Sequence, residues 1–400
     1  MRSPAEGRLG GIQRLLYAGP FLTMFDRYSI APLLIPIAAE FGRPLAEVTV
    51  LATVYFFLYG TMQVVYGILS DRFGRVAVMR VTLVGMAVAG LLGALAPSLP
   101  VLIGARALSG SMACAVMPAA LVYIGDTFPF RIRQQALSSL LAAVAVGTTA
   151  ASVGAGLLAH YLSWRFAFLL PAVGALALAY ALRWLPESSG ARRTGSPFQQ
   201  LRFVLSRPWA VFLNLFAVVE GAAMLGFFTF FAPALQAHGE NAATAGLVTA
   251  GYGVSVLAWT QLMKRFAARI PPQTLVFGGG AMLVCCYLLA AAEQTVPAVL
   301  VAGVLAGGGY ALMHSTFQTW ATEVVPQARG TATSLYATGA FLGAAIGTGA
   351  VSGLAGSHHF GLLFLIAAAA TLPMVLVGGF ARWRYTAALA GRDLPGRVAG

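Results

Sequence analysis

The chain has 400 residues, of which only 9% are charged, whereas Ala, Val, Ile, Leu, Met, Phe, Trp, Tyr and Cys together make up 59%. Soluble domains carry about 25% charged residues, so this composition excludes an ordinary soluble protein, which could not cover its surface. The net charge of +13 would fit a nucleic-acid-binding protein unless the basic residues are placed for another purpose.

Long runs without Lys, Arg, Asp or Glu follow one another along the chain. About 20 apolar residues cross a bilayer as a helix, and Gly and Pro inside such runs are compatible with this. The first run contains Asp26 and Arg27 and ends without an A-x-A site, which indicates a retained helix rather than a signal peptide. The pattern predicts an all-α polytopic membrane protein with twelve transmembrane helices, at residues 15–38, 47–69, 77–97, 100–124, 135–159, 164–185, 209–236, 242–263, 273–293, 296–322, 330–355 and 359–381.

The basic residues are distributed unequally between the two sides that this topology defines. If the N-terminus is cytoplasmic, Arg43 and Arg165 lie outside, and Arg27 and Arg106 lie within spans, so the remaining 21 of the 25 basic residues lie on the cytoplasmic side. The positive-inside rule therefore predicts a multi-pass protein of the inner or plasma membrane with both termini cytoplasmic. On this interpretation the positive charge orients the chain in the bilayer and does not indicate a nucleic-acid partner.

The two halves of the chain repeat a sequence pattern. At a constant offset of 196 (329 − 133), four residues in or just before the fifth span recur in or just before the eleventh: Arg133, Ala136, Ser138 and Gly147 correspond to Arg329, Ala332, Ser334 and Gly343. Duplicated six-helix units are one of the known transporter designs. We predict two pseudo-symmetric bundles, with an N-terminal six-helix bundle over residues 1–186, a cytoplasmic linker over 187–207, and a C-terminal six-helix bundle with a short cytoplasmic tail over 208–400.

Residues 67–75, at the end of the second span, read GILSDRFGR. This segment resembles the G-x-L-x-D-R-x-G-R loop of the major facilitator superfamily, although the usually basic next position is Val76 here. Arg106 and Gly110 in the fourth span are similar to the R-x-x-x-G pattern of the proton-coupled branches. Within the superfamily the chain looks most like the twelve-helix drug/proton antiporter and sugar-efflux branch. The resemblance implies the major facilitator fold, transport of a small molecule, and a monomer.

The loop motif has a mechanical interpretation. Gly67 and Gly74 allow close backbone approach and turning, and Asp71 can bond free N–H groups at a neighbouring helix N-terminus or pair with Arg131 or Arg133. The resemblance implies that this cluster latches a cytoplasmic gate against the eleventh helix. The alternative is a loop that only sets the orientation of the chain. The predicted gating residues are Gly67, Asp71, Arg72, Gly74, Arg75, Arg131, Arg133 and Arg329.

Four charged residues lie deep inside the predicted spans, away from the span ends: Asp26, Arg27, Arg106 and Glu220. A charge at mid-membrane costs at least about 2.5–3.5 kcal/mol, so each needs a partner or a function. Two acids and two arginines can form two structural ion pairs. Alternatively, Asp26 or Glu220 exchanges a proton as water reaches it from alternate sides, because burial and a nearby arginine act oppositely on the charge of a carboxyl group. We expect proton coupling through Asp26 first and Glu220 second, with Arg106 and Arg27 as their neighbours.

Polar aromatic residues recur on single faces of several predicted helices, at spacings of three or four residues. Polar groups in a span face the bundle or a cavity rather than lipid, and a cavity lined by Tyr, Phe and Trp suits an amphiphilic or aromatic solute. The alternative is interhelical packing and hydrogen bonding, and for His314 a neutral side chain bonded to a neighbouring helix is the simpler hypothesis. No spacing fits a metal site. The predicted cavity residues are Tyr55, Tyr59, Gln63, Phe227, Tyr252, Trp259, Tyr310, His314, Gln318 and Tyr336.

No enzyme motif is present, since the sequence has no nucleotide-binding loop, no H-E-x-x-H and no G-x-S-x-G. We therefore expect no cofactor and a proton gradient as the energy source for secondary active export of a small amphiphilic or aromatic molecule by alternating access. Antiporters of the resembled branch often carry a Gly-Pro pair in the fifth helix, and this chain lacks it. That departure supports the alternative of a proton symporter or facilitator for uptake of a small organic metabolite. A membrane receptor on a transporter fold is a third class, against which the short loops argue.

Overall fold

The computed structural model describes residues 4–187, 197–266 and 269–390. All regular secondary structure in these residues is helical, which confirms the predicted all-α class. The helices of the twelve predicted spans are labelled in chain order: α1 is Pro4–Tyr28 with Ile30–Phe41, α2 Leu45–Phe73, α3 Arg75–Ala94, α4 Leu99–Thr127, α5 Phe130–Tyr161, α6 Phe166–Trp184, α7 Pro208–Ala237, α8 Ala242–Phe266, α9 Pro272–Ala292, α10 Val296–Val324, α11 Arg329–Ala350 and α12 Phe360–Ala390.

Most of these helices have the length and hydropathy of membrane spans. Among the described residues, ten are long and apolar enough to cross a membrane, and the two arms of α1 form an eleventh span that is bent by 44° at Ser29. The remaining helix, α11, is long enough at 22 residues, but five glycines and four threonines lower its hydropathy. Because α11 packs between α2 and α7, it needs less apolar surface than a helix that faces lipid.

The helices pack in the same pairs in both halves. In the first half α1 packs on α5, α2 on α4 and α3 on α6, and in the second half α7 packs on α11, α8 on α10 and α9 on α12. The halves meet where α2 packs on α11 and α5 on α8. The predicted repeat relates α2 to α8 and α5 to α11, so it maps each of these two contacts onto the other. This is the arrangement expected of two pseudo-symmetric six-helix bundles.

Part of the predicted linker is a short helix, Pro197–Leu205, that belongs to the second half by its contacts. Its Val204 is buried against Ala210 at the start of α7 and Ala332 of α11. Residues 188–196 of the predicted linker lie outside the described residues. The sequence boundaries of the two bundles therefore stay a prediction.

The two halves are in contact at the centre of the bundle and at one of its ends. We call that end the distal end; it carries the turns at residues 42–44, 162–165 and 238–241, away from the arginine-rich loops. There Gln236 Nε2 donates to the Pro32 carbonyl oxygen at 3.1 Å, and the helix Ser352–Gly356 packs on Leu45–Val48. Nearer the centre, Thr338 Oγ1 donates to the Gly60 carbonyl oxygen at 3.0 Å. These contacts close the distal end.

Candidate functional site

Two of the four intramembrane charges, Asp26 and Arg106, belong to one hydrogen-bonded network inside the first half. Arg106 Nη1 on α4 lies 2.9 Å from Asp26 Oδ1 on α1, and Ser109 Oγ donates to Asp26 Oδ2 at 2.7 Å. All three side chains are buried, and the Arg106 guanidinium lies over the Tyr55 ring, 4.2 Å from its centroid. Both carboxylate oxygens of Asp26 therefore have a donor, and its ion-pair partner is Arg106 rather than Arg27.

Arg27 points away from this network, because successive residues of a helix lie about 100° apart around its axis. Its guanidinium carbon lies 4.2 Å from the ring centroid of Tyr59 on α2 and 4.7 Å from that of Phe341 on α11. The residue is only 7% exposed, and its Nε and Nη2 atoms have no hydrogen-bond partner within the described part of the chain. Arg27 is thus a buried cation held by aromatic rings where the two halves meet.

Glu220, the remaining charge, lies on α7 inside the second half. Tyr336 of α11 donates its hydroxyl to Glu220 Oε2, and His314 Nδ1 of α10 lies 3.2 Å from Glu220 Oε1. Glu220 is 1% exposed, whereas the His314 side chain keeps 16% of its surface. Of the two ion pairs considered from the sequence, Asp26–Arg106 is present, and Glu220 is instead held by a phenol and an imidazole. The bond from His314 to a neighbouring helix is the one that the sequence analysis expects.

The two helices that carry Glu220 and His314 leave regular α-helical geometry at this level. In α7 a π turn, Ala222–Gly226, begins two residues after Glu220, and in α10 a π turn, Tyr310–His314, ends at the histidine. Such turns occur frequently at functional sites, where they redirect side chains. No pattern in the sequence indicates them, and they are features of the site that sequence reasoning missed.

Several of the predicted cavity residues lie close to Arg27 or to Glu220. The Tyr310 ring stacks on His314 at 4.6 Å between centroids and lies 6.4 Å from Tyr252. Tyr252 is in turn 6.4 Å from Tyr28, which follows Arg27 on α1. Aromatic rings therefore connect Arg27 in the first half to the Glu220 group in the second. Tyr28 was missed, although its position next to two intramembrane charges was an available signal, and nothing in the sequence singled out Phe341.

Other predicted cavity residues lie elsewhere. Tyr55 is buried beneath Arg106, and Gln63 is half-buried, with a side-chain oxygen that has no hydrogen-bond partner among the residues the structure describes. Phe227 packs on Tyr287, with ring centroids 6.2 Å apart, inside the second half. Trp259 is half-buried beside Gly308 of α10, and Gln318 is exposed. The arrangement brings Tyr59, Tyr252, Tyr310, His314 and Tyr336 to the centre and leaves Phe227, Trp259 and Gln318 away from it.

The predicted gating motif forms a charged cluster at the arginine-rich end of the first half. Asp71 Oδ1 lies 3.0 Å from Arg75 Nη2, and Arg75 Nε lies 3.5 Å from Asp126 Oδ2 at the end of α4. Gly74 joins α2 to α3 with a φ of 100°, a conformation that glycine adopts without strain. These ion pairs join α2, α3 and α4 of one half, and the predicted latch against α11 stays a prediction.

A carboxylate caps the N-terminus of α3, as the motif predicts, but it belongs to Glu187. Its Oε2 and Oε1 accept hydrogen bonds from the backbone N–H groups of Val76 and Ala77 at 3.1 and 2.6 Å. A negative charge at this position is stabilised by the free N–H groups and the dipole of the helix. Of the other predicted gating residues, Arg72 lies over the ring of Phe73, Arg133 donates to the Phe128 carbonyl oxygen, and Gly67, Arg131 and Arg329 are exposed.

Comparison with known proteins places this arrangement among transporters. The family model described as Major Facilitator Superfamily matches residues 16–271 and 222–393. The cephamycin export protein CmcT of Amycolatopsis lactamdurans is 30% identical over 263 residues, which are 63% of this chain and 50% of that protein. The chloramphenicol resistance protein of Pseudomonas aeruginosa is 26% identical over 306 residues, covering 74% of this chain and 72% of that one.

Among solved structures, the nucleoside transporter NupG superimposes with a TM-score of 0.78 at 12% identity, over 92% of this chain and 99% of the other. At that identity the likeness concerns the fold. The matches span between 28% and 50% of the length of the first four curated relatives.

Proposed function

The chain belongs to the major facilitator superfamily, and from this premise we propose that it is a secondary transporter that exports a small amphiphilic or aromatic molecule in exchange for protons. The names of the cephamycin and chloramphenicol relatives support export. The mechanism is alternating access, in which the two halves rock about a central site. The interfaces of α2 with α11 and of α5 with α8 are the surfaces along which the halves would move.

Proton coupling rests on the surroundings of Glu220. A carboxylate beside a permanently charged arginine stays ionised, because removal of its charge would leave the arginine buried and unpaired. Asp26 is in that position, with Arg106 at 2.9 Å. Glu220 has only a phenol and an imidazole as described partners. Neither of these groups is permanently charged, so a change in the charge of Glu220 would leave no fixed charge without a partner. The sequence favours Asp26 for proton exchange, and this geometry favours Glu220, with His314 as its path to the centre.

The orientation of the chain in the membrane completes the proposal. The distribution of arginines supports cytoplasmic termini in an inner or plasma membrane, and the closed distal end then faces outward. In this orientation the contacts between the halves at the distal end lie on the outer side of the membrane, and an exporter would load its substrate from the opposite, cytoplasmic side. We propose a monomer, since each half already contains a complete set of six helices.

A flux experiment in proteoliposomes tests the proposal. The protein is reconstituted with an imposed pH gradient, and uptake and release of labelled chloramphenicol and of a metabolite panel are measured for the wild type, Glu220→Gln and Asp26→Asn. We expect gradient-driven flux to be lost in Glu220→Gln, while gradient-independent exchange of substrate persists. Flux that does not depend on the pH gradient, with both variants fully active, would overturn proton coupling.

Uptake is the second candidate function. It is favoured by α5, which runs as one continuous helix, Phe130–Tyr161, and carries no Gly-Pro pair. The direction of flux in energised vesicles separates the two functions, because export requires substrate and protons to move in opposite directions.

A further inference from the structure

Arg27 is the one intramembrane charge to which the proposed mechanism assigns no function. Asp26 is hydrogen-bonded to Arg106 and Ser109, and Glu220 is hydrogen-bonded to Tyr336 and His314. The ion pairs described for residues 4–187, 197–266 and 269–390 do not include Arg27. A buried guanidinium without a counter-charge is unfavourable, so an anion that binds at this position would stabilise it.

The neighbours of Arg27 stabilise its charge only in part. The rings of Tyr59 and Phe341 lie on the guanidinium at 4.2 and 4.7 Å, and a cation over an aromatic face is attracted by the ring. Arg27 also lies in the last turn of the first arm of α1, where the helix dipole favours a positive charge. The rings contact the guanidinium through their faces, and its Nε and Nη2 atoms have no hydrogen-bond partner among the described residues.

The Arg27 side chain lies at the edge of a cavity between the halves. The cavity is lined by Arg27, Tyr28 and Phe56 from the first half and by Phe228 and Thr249 from the second. Nε and one terminal nitrogen of a guanidinium form a planar fork that matches the two oxygens of a carboxylate. The apolar walls of the cavity and the ring series Tyr28, Tyr252 and Tyr310 fit a flat or aromatic body attached to that acidic group.

We infer that Arg27 binds the anionic group of the transported molecule, so that the substrate class is a small organic acid with an aromatic or flat apolar body. This inference rests on the proposed function. In the described conformation the cavity has a volume of about 20 Å³, close to the space of one water molecule. A carboxylate therefore enters when the halves separate at this level, and its binding favours the conformations in which they are apart.

The position of Arg27 explains why such binding would act on the rocking motion. Arg27 belongs to the first half, and Phe341 on its other side belongs to the second. An acid that replaces the Phe341 contact by two charged hydrogen bonds changes the relative stability of the two arrangements of the halves. A ligand shifts a conformational equilibrium only through such a difference in interaction.

The test measures binding directly, with the full chain purified in detergent. Thermal unfolding is followed at constant ionic strength in the presence of benzoate, phenylacetate or 4-hydroxybenzoate, and in parallel with the neutral analogues benzamide, phenylacetamide and 4-hydroxybenzamide. For the wild type we expect at least one acid to raise the unfolding temperature by about 2 °C or more at ten times its Kd, and its amide to have no effect. Potassium chloride at the same concentration is expected to have none.

Variants then assign the binding to Arg27. Arg27→Gln removes the charge and is expected to weaken binding of the acid about 10- to 100-fold, the effect of losing hydrogen bonds to a charged group. Arg27→Lys keeps the charge without the fork and should give an intermediate affinity, which keeps the test valid if the glutamine variant does not fold. Arg384→Gln, an exposed arginine near the end of α12, serves as the matched control with unchanged binding.

Four results would overturn the inference: equal stabilisation by acids and amides, stabilisation by chloride alone, retention of acid binding in Arg27→Gln, or no stabilisation of the wild type by any acid. Failure of the proposed function gives a different result. Acid binding that depends on Arg27, without proton-driven flux, would refute the transport proposal alone. Proton-driven flux of neutral or cationic solutes that is unchanged in Arg27→Gln would refute the inference alone.

Discussion

Glu220 and His314 approach each other to 3.2 Å from two helices that are both interrupted by a π turn at this level. Within the second half they provide a carboxyl group and an imidazole in one hydrogen-bonded group, which Tyr336 completes. The partly exposed ring of His314 connects the buried carboxylate to the centre of the molecule. A proton that reaches Glu220 from the centre would pass this ring.

His314→Ala tests that path. The variant removes a hydrogen bond to a charged group, which is worth about 1.5–3 kcal/mol, and we expect gradient-driven flux to fall about tenfold or more. Initial rates in proteoliposomes with an imposed pH gradient measure the effect. His359→Ala, which changes an exposed histidine beside Ser357, should transport normally. If His314→Ala is also normal while Glu220→Gln is inactive, the imidazole only packs against Tyr310.

The fold could be predicted because hydropathy and length decide whether a segment crosses a bilayer. Each predicted span has its helix, and most helices extend a few residues beyond the apolar run. Thus α2 continues to Phe73 although its span was predicted to end at residue 69, since the Asp71–Arg75 pair supports the last turn. The bend at Ser29 was not predicted, although Pro32, which cannot donate a hydrogen bond to the Tyr28 carbonyl oxygen, was an available signal.

The candidate site was found from the sequence only as a set of costly charges. Burial of a charge is unfavourable anywhere in the bilayer, so Asp26, Arg27, Arg106 and Glu220 stand out without any structure. Their pairing depends on the direction in which each side chain leaves its helix. Glu187 was not among the predicted site residues because it lies outside the spans, where a single acid carries no signal until the helix that it caps is located.

Asp26→Asn is expected to destabilise the protein strongly. It leaves the buried Arg106 without its counter-charge, a loss that costs about 3–5 kcal/mol. The matched control is Glu47→Gln, which breaks the Arg43–Glu47 pair, whose side chains are 57% and 52% exposed, and should cost less than about 1 kcal/mol. The unfolding temperatures of the two variants in one detergent give the comparison.

A double variant shows whether the loss comes from the unpaired charge. When Asp26→Asn is combined with Arg106→Gln, neither side chain of this pair is charged any longer, and part of the stability should return. If Asp26→Asn is as stable as Glu47→Gln, then Asp26 carries no negative charge in the folded protein, and the ion pair with Arg106 does not hold it ionised.

The two glycines of the loop motif should respond differently to substitution by alanine. At Gly74 the φ of 100° is strained for alanine, at a cost of about 1–3 kcal/mol, and the added Cβ would lie 2.6 Å from the carboxyl carbon of Glu187. At Gly67 an added Cβ has no neighbour within 4 Å, and alanine should stabilise the helix by about 0.5–1 kcal/mol.

Thermal unfolding of Gly74→Ala and Gly67→Ala, measured side by side, checks this contrast. A stable Gly74→Ala variant would mean that the turn between α2 and α3 can relax away from Glu187. Transport by Gly67→Ala adds a second measurement, because a loss of flux at full stability would indicate that this surface meets α11 in another conformation.

A cross-link between the halves tests whether they separate at the distal end during transport. A Cβ at Gly349 on α11 would lie 3.7 Å from Thr53 Cγ2 on α2, so the two backbones approach closely enough for a disulfide between cysteines at these positions to be tested. In Thr53→Cys with Gly349→Cys, and with the exposed Cys285 changed to serine, oxidation should abolish flux. Reduction should restore it, and each single cysteine variant should transport under both conditions. Unchanged flux in the fully oxidised protein would contradict a mechanism in which the halves part at the distal end, since α2 and α11 could not then move apart there.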